Sequence, residues 1–208
     1  MMITVLLADD QAMIRQAFSA LLQLEPDFEV VGQAGDVAET ISKVAELQPE
    51  VVLLDVQMPS PTDPHADGID ACATIMKAQP ATKVIILTTF GRPGYLRRAM
   101  EAGAVGYMVK DAPAERLTEG IRRVHAGLRV VEPVLAAASL SIGASPLTGR
   151  EAEVLTAAAS GASTASIAKG VFLSEGTVRN HLSSAMGKLG AGTRAEAVRI
   201  ATENGWVG

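Results

Sequence analysis

Five short β-rich runs, each separated from the next by enough chain for a helix, constrain this sequence more than any other feature. They are "ITVLLA" (3–8), "FEVVGQA" (28–34), "VVLLD" (51–55), "KVIILT" (83–88) and "VGYMV" (105–109). They read as near-continuous apolar runs, the pattern of strands covered on both faces. The intervening stretches have helical periodicity. In "MIRQAFSALLQL", Ile14, Ala17, Phe18, Leu21 and Leu22 recur at steps of three and four. Asp36 is placed to cap a second helix that carries Val37, Ile41, Val44 and Leu47 on one face. A third helix runs through Ile69, Ala73 and Met76, a fourth through Leu96, Met100 and Ala104, and a fifth from Pro113 to about His125. Strands alternating with helices predict an α/β domain with a parallel sheet.

After Gly127 the pattern changes. "LRVVEPVLAAASLSIGASP" is small, sparsely charged and interrupted by prolines, and reads as a linker with one short helix around 133–139. Beyond it every signal is helical: "LTGREAEVLTAAASG", "STASIAKGVF", "SEGTVRNHLSSAMGKLG" and "GTRAEAVRIATENGW". Several of these open on a Ser or Thr suited to capping. The expected organisation is a first domain over 1–126, a linker over 127–145 and a small all-α domain over 146–208.

Charge is divided unevenly. The net charge of −5 splits into −6 for residues 1–144 and +1 for residues 145–208, where six Lys and Arg face five Glu. Charge alone therefore does not announce nucleic-acid binding, and any DNA contact must rest on a few well-placed cations. No apolar run reaches the roughly 18 residues of a membrane span, and the N-terminus lacks the pattern of a signal peptide. The single cysteine, Cys72, fits a small buried hydrophobe in a reducing cytoplasm.

Ligands of open parallel sheets bind at the carboxyl ends of the strands. The first run ends in Asp9-Asp10, the third in Asp55 and the fourth in Thr88-Thr89, while Lys110 follows the fifth. Each has an ordinary reading alone: a helix cap, a strand threonine, a solvated lysine. Together, with strand order 2-1-3-4-5, they converge on one rim. Crowded carboxylates repel unless a cation sits among them, and a hard, oxygen-seeking ion such as Mg²⁺ fits.

The pattern "ADDQ", "LLDVQMP", "LTT" and "GYMVKD" resembles, with its spacing, the receiver domain of bacterial two-component response regulators over residues 3 to about 126. The resemblance implies a flavodoxin-like (βα)5 fold in which Asp55 accepts a phosphoryl group from a sensor histidine kinase. It implies Mg²⁺ held by Asp9, Asp10, Asp55 and the backbone carbonyl of Gln57. Thr88 would hydrogen-bond the phosphoryl oxygens, Lys110 would pair with their charge, and Tyr107 would be the aromatic that turns inward when Thr88 moves. Neutralised oxygens are what attack by a carboxylate on phosphorus requires.

In the second domain, "STASIAKGVFLSEGTVRNHLSSAMGKLG" reads as helix, tight turn, helix. Val171 and Leu173 bury the turn, Val178, Leu182 and Leu189 face inward, and Glu175, Thr177, Arg179, Asn180 and Ser183 are left outward. A second helix of this kind enters the major groove, where Arg reads guanine and Asn reads adenine. The string "LTGREAEVL…IA…LSEGTVRNHL…KLG…TRAEAV" resembles the DNA-binding domain of NarL/FixJ (LuxR-type) regulators. Carried over, Arg179, Asn180 and Ser183 would contact bases, and Thr177, His181 and Lys188 would lie near the DNA backbone. A last helix from about Thr193 to Glu203 would carry a dimer contact. Ser183 stands where a basic residue is frequent in that family. "LTTFGRPGYLRRA", "EGTVRN" and "NGW" further resemble the subgroup containing a bacillary regulator of membrane-lipid desaturation.

The expected protein is thus a cytoplasmic transcription factor, not an enzyme, whose phosphorylation favours a homodimer and promoter binding. One competing reading keeps the architecture but places it under a ligand or protein signal. Another is a phosphatase with Asp55 as nucleophile; it expects a second acid two residues on, where Gln57 stands, and no GxxxxGK[ST] phosphate loop is present. The segment "SPTDPHA" (60–66) departs from the resemblance as an insertion after Asp55. Its prolines predict a stiff, extended bulge, with Asp63 and His65 as conceivable metal contacts.

Overall fold

Each of the five apolar runs is a strand in the computed structural model, which describes residues 2–63, 66–89, 93–133, 135–137 and 145–207. They are β1 Ile3–Ala8, β2 Phe28–Ala34, β3 Val51–Asp55, β4 Lys83–Thr88 and β5 Gly106–Val109. The helices between and after them are α1 Ala12–Gln23, α2 Val37–Leu47, α3 Gly68–Ala78, α4 Pro93–Glu101 and α5 Ala114–His125. Asp36 caps α2 by accepting from the Glu39 amide. Among the described residues every pairing is parallel, in the order β2-β1-β3-β4-β5, with a sixth strand beyond β5.

The sixth strand, β6 Val130–Val131, lies in the segment expected to be linker. It adds to β5, and the Glu132 amide continues the ladder to the Tyr107 carbonyl. Two residues are too few to show a period, so the pattern does not announce this strand. Its pairing carries the first unit beyond residue 126, to a break after Ala136. Of the expected helix around 133–139, Pro133 and residues 135–137 are helical, and the remainder lies outside the described residues.

The central strands are buried on both faces, as their apolar runs require. Val5, Leu53, Ile85 and Met108 form one core with Leu22 of α1 and Ile121 of α5. Their neighbours Leu6, Val52, Leu54, Val84 and Ile86, turned to the other face, are equally sealed. Arg122 clamps α5 to the turn before β2: its guanidinium bonds Asp27 and Glu25 and lies 4.9 Å from the Phe28 ring centroid.

The described residues 145–207 of the second unit form the helices α6 Gly149–Ala159, α7 Thr164–Gly170, α8 Glu175–Leu189 and α9 Arg194–Glu203. Thr148, Ser163, Ser174 and Thr193 cap them, each accepting from the amide three residues on. Val154, Leu155, Ile167, Val178 and Leu182 form its core.

At the end of the sheet opposite the aspartates, Glu50 accepts from the Thr4 amide at 3.0 Å and faces His125 Nε2 at 3.1 Å. These contacts, the Thr4 amide foremost, outweigh partial burial and hold the Glu50 carboxyl below its ordinary pKa. A carboxylate lowered in this way stabilises the fold above its unfolded pKa and loses that contribution as pH falls through the folded one. Glu50→Ala should therefore cost roughly 1 kcal/mol at neutral pH, measured by denaturant titration, and its deficit against the parent should close as the solution is acidified below the ordinary glutamate range.

Candidate functional site

Strand register assembles the first site. Ala8 pairs with Leu54, so Asp9 and Asp55 emerge side by side. Asp55 pairs with Leu87 and Thr88 with Val109, so Thr88 and Lys110 follow at the same rim. Asp9, Asp55 and Thr88 are buried, whereas Asp10 is exposed. Lys110 Nζ lies 2.6 Å from Asp9 Oδ2 and 2.9 Å from Asp55 Oδ2. The Gln11 amide donates to Asp9 Oδ1 at 2.9 Å, and the Arg15 guanidinium donates to the Asp9 carbonyl.

Burial raises the Asp55 pKa; Lys110 and the Gln57 amide act against this, and the Asp9 carboxylate adds to it. For Lys110, burial opposes the ammonium, but the Asp9 and Asp55 carboxylates outweigh it and raise its pKa. One ammonium thus faces three carboxylates, and the surplus negative charge invites a cation. Ligand atoms of Asp9, Asp10 and Asp55 lie within 4.8 Å of one another. Hard oxygen donors, with one member open to solvent, suit Mg²⁺, which retains several waters. Gln57 lies in the turn after β3, and Tyr107 is sealed inside the sheet at 0% exposure.

The "DG" after the insertion proves to be a packing requirement. A Cβ on Gly68 would stand 1.8 Å from the Asp55 carbonyl oxygen, so only glycine lets α3 begin against the backbone of Asp55. The Gly68 amide donates to the Val56 carbonyl at 2.9 Å. Asp67 caps α3 in a capping box with Asp70, and its other oxygen receives Arg98 of α4 at 3.0 Å. The sequence pattern had assigned none of Gly68, Asp67 or Arg98 to the site.

The described residues of the insertion, 60–63 and 66, make local bonds rather than the extended bulge its prolines suggest. The Ala66 amide donates to the Asp63 carbonyl at 3.0 Å, and Ser60 Oγ accepts from the Asp63 amide. Ser and Asp supply local bonds of the kind that favour turns. Asp63 does not belong to the acidic cluster, and His65 lies outside the described residues.

In the second unit, α8 exposes Arg179, Asn180 and Ser183, with His181 and Thr177 half-buried. Thr177 Oγ1 lies 2.8 Å from the capping Ser174 Oγ. Lys188, itself exposed, makes an ion pair: its Nζ is 2.6 Å from Glu151 Oε2. Glu151, almost fully buried, also accepts from Ser184 Oγ at 2.7 Å and from the Thr148 amide at 2.7 Å. Lys188 foremost, with Ser184 and Thr148, pushes its pKa down to about 2. A buried carboxylate thereby pins the C-terminal half of α8 to α6. The capping-box spacing Thr148-x-x-Glu151 was visible in the sequence, but not the partners on α8.

Several of the unit's other cations also have partners within it, the Arg150 and Arg199 pairs being solvent-exposed. Arg150 binds Glu153, Arg199 binds Glu203, and Arg194 donates to the Ala162 carbonyl. Among the described residues, Lys169 and Arg179 are the cations of this unit without such a partner.

The two units match two family models. Residues 5–122 match the response regulator receiver domain, and residues 145–201 match the luxR family of bacterial regulatory proteins. The chain belongs to the response regulators, with a receiver joined to a LuxR-type DNA-binding domain, and is a transcriptional regulator of the two-component kind. Among individual proteins it is similar to the Bacillus subtilis transcriptional regulatory protein YvfU, at 42% identity over 99% of this chain and 100% of that one. It is similar to Bacillus subtilis DesR at 41% identity, over 99% of each. Among solved structures it resembles the response regulator ChrA of a heme-sensing two-component system, with 33% identity, 97% of each chain covered and a TM-score of 0.58.

The steric role of Gly68 is directly testable. Gly68→Ala should displace the β3–α3 connection, lower stability by roughly 1–3 kcal/mol and slow phosphoryl uptake from acetyl phosphate. Thermal unfolding and intact-mass kinetics read the two effects, and an unperturbed variant would show that the loop yields without cost.

Proposed function

We propose that Asp55 is phosphorylated by a sensor histidine kinase, and that phosphorylation favours a homodimer competent to bind promoter DNA. The observation that carries this reading is the Lys110 ammonium held between the buried Asp9 and Asp55 carboxylates. Asp9, Asp10, Asp55 and the Gln57 carbonyl would hold Mg²⁺, which when bound supplies positive charge against the phosphoryl oxygens. The poorly hydrated Asp55 carboxylate attacks phosphorus, and the phosphohistidine nitrogen leaves. Lys110 pairs with the transferred oxygens and the Thr88 hydroxyl donates to one of them; the Tyr107 ring, expected to turn inward with Thr88, is already inside. The added charge of about −1.5 to −2 biases a two-state surface toward the dimer.

In the DNA-binding domain, Arg179, Asn180 and Ser183 read bases, while Thr177, His181 and Lys188 lie near the backbone, Lys188 by sharing its ammonium with Glu151. Helix α9 carries the dimer contact of this domain. The protein acts in the cytoplasm; no described helix is long and apolar enough to cross a membrane. It labels itself once and does not turn over separate phosphoesters.

Incubation with acetyl phosphate and Mg²⁺ should add one phosphoryl group to the wild type and none to Asp55→Asn, with a shift to dimer only in the former. No label on the wild-type protein in an intact-mass measurement would sink the reading. The scarcity of unpaired cations yields a second expectation. With Lys169 and Arg179 as the unpaired cations, the slope of log affinity against log salt should be about −2 per monomer. A much steeper slope in fluorescence anisotropy would mean that ion-paired arginines are released to the DNA.

A further inference from the structure

The turn between α7 and α8 contains a residue that its conformation does not suit. The Leu173 amide donates to the Ala168 carbonyl at 2.9 Å and the Phe172 amide to the Lys169 carbonyl at 3.5 Å. This bond pair is a Schellman cap, in which the residue after the helix takes left-handed backbone angles and is usually glycine. The same pair closes α4 at Gly103, α5 at Gly127, α8 at Gly190 and α9 at Gly205, with φ of 98°, 85°, 63° and 64°. At α7 the position holds Phe172, at φ 54°. An L-residue with a Cβ is strained there, and a bulky one more so.

Packing within the domain does not explain it. Phe172 is 94% exposed, the most exposed of the large hydrophobic residues described. The chain thus carries both a backbone cost and an uncovered aromatic ring at one position, where glycine would remove both. A bulky residue held in this backbone region is the kind of outlier that points to a role outside the folded unit.

We propose that Phe172 is a DNA-contacting residue, its ring packing against the apolar surfaces DNA offers, the deoxyribose face or a thymine methyl, beside the entry of α8 into the major groove. Three observations support this occupant. Phe172 stands two residues before Ser174, the cap of the helix that exposes Arg179, Asn180 and Ser183. Lys169 and Gly170 before it and Ser174 to Gly176 after it are exposed, so the ring belongs to one open surface continuous with that helix. The domain also brings few unpaired cations to a polyanion, so its affinity must draw on contacts other than charge, and thymine methyls accept apolar side chains. The proposal rests on the DNA-binding reading given above.

The test uses the full chain, phosphorylated with acetyl phosphate, and a duplex selected by that protein from a random-sequence pool. Phe172→Gly and Phe172→Asn should raise the unfolding temperature of the C-terminal domain by about 4 °C or more, because both residues accept the left-handed conformation. Both should weaken binding to the duplex about tenfold, the scale of one buried aromatic side chain. Phe172→Ala, which keeps the strained Cβ, should lose the affinity without the thermal gain. The slope against salt should not change, since no charge is removed. Unchanged affinity in all three variants overturns the proposal. If self-association is lost while affinity per dimer stays constant, or if only transcription by RNA polymerase is lost, the ring faces a protein and the proposal is equally overturned. Arg179→Ala on the same duplex separates this from a failure of the wider reading: lost binding there, with Phe172 variants unaffected, refutes only the role of Phe172.

Discussion

A single ammonium between two buried carboxylates governs the first domain. Removing ions from water is costly, and a buried pair holds only where geometry and further hydrogen bonds offset that cost. Parallel register supplies the geometry, since Asp9 and Asp55 leave adjacent strands at the same level and Lys110 leaves β5 within reach of both. The Gln11 amide and the Arg15 guanidinium fix Asp9 from the start of α1. On the other side, Gly68 lets α3 begin directly against Asp55, and Asp67 ties that helix start to Arg98 of α4. The acidic rim is therefore braced by α1, α3 and α4.

The DNA-binding domain solves a similar problem with a different consequence. Glu151 is buried and gathers Thr148, Ser184 and Lys188, which orients α8 relative to α6. Orientation of a recognition helix decides which side chains reach base edges, so the arrangement favours specificity. It also sets a carboxylate against the Lys188 ammonium, in a domain whose net charge is only +1. Charge that might have raised affinity is used to hold the reading helix still.

The parts legible in the sequence were those with a period or a fixed place on a period. The five strands were visible as apolar runs, and the cluster of Asp9, Asp10, Asp55 and Lys110 followed from asking what ends each strand. Helix starts were visible because Ser, Thr and Asp advertise caps. The rest depends on partners distant in the chain or on backbone angles. β6 has two residues and no period. Lys188 reads as a free surface cation until Glu151, 37 positions earlier, is brought beside it. The local bonds of the insertion were hidden by its prolines, whose fixed φ suggested extension, whereas the Asp63 carbonyl and Ser60 hydroxyl each accept a nearby amide. Left-handed φ at Phe172 is invisible for a further reason: residue type predicts glycine there, and only the hydrogen-bond pattern reveals the exception.

These constraints together explain why dimerisation is a sufficient switch on the proposed reading. Nonspecific attraction to DNA grows with the number of phosphates a protein neutralises. With most of its cations internally paired, one copy has little such attraction, and residues 1–144, at a net charge of −6, add none. A monomer is then not held by bulk DNA, where a strongly basic regulator would be. Two copies joined through phosphorylation convert the second half-site into an intramolecular partner, and affinity gained by effective concentration needs no new contact. On that reading the phosphoryl group need not reshape the reading helix at all, because weak single-site binding would make coupling two copies the decisive event.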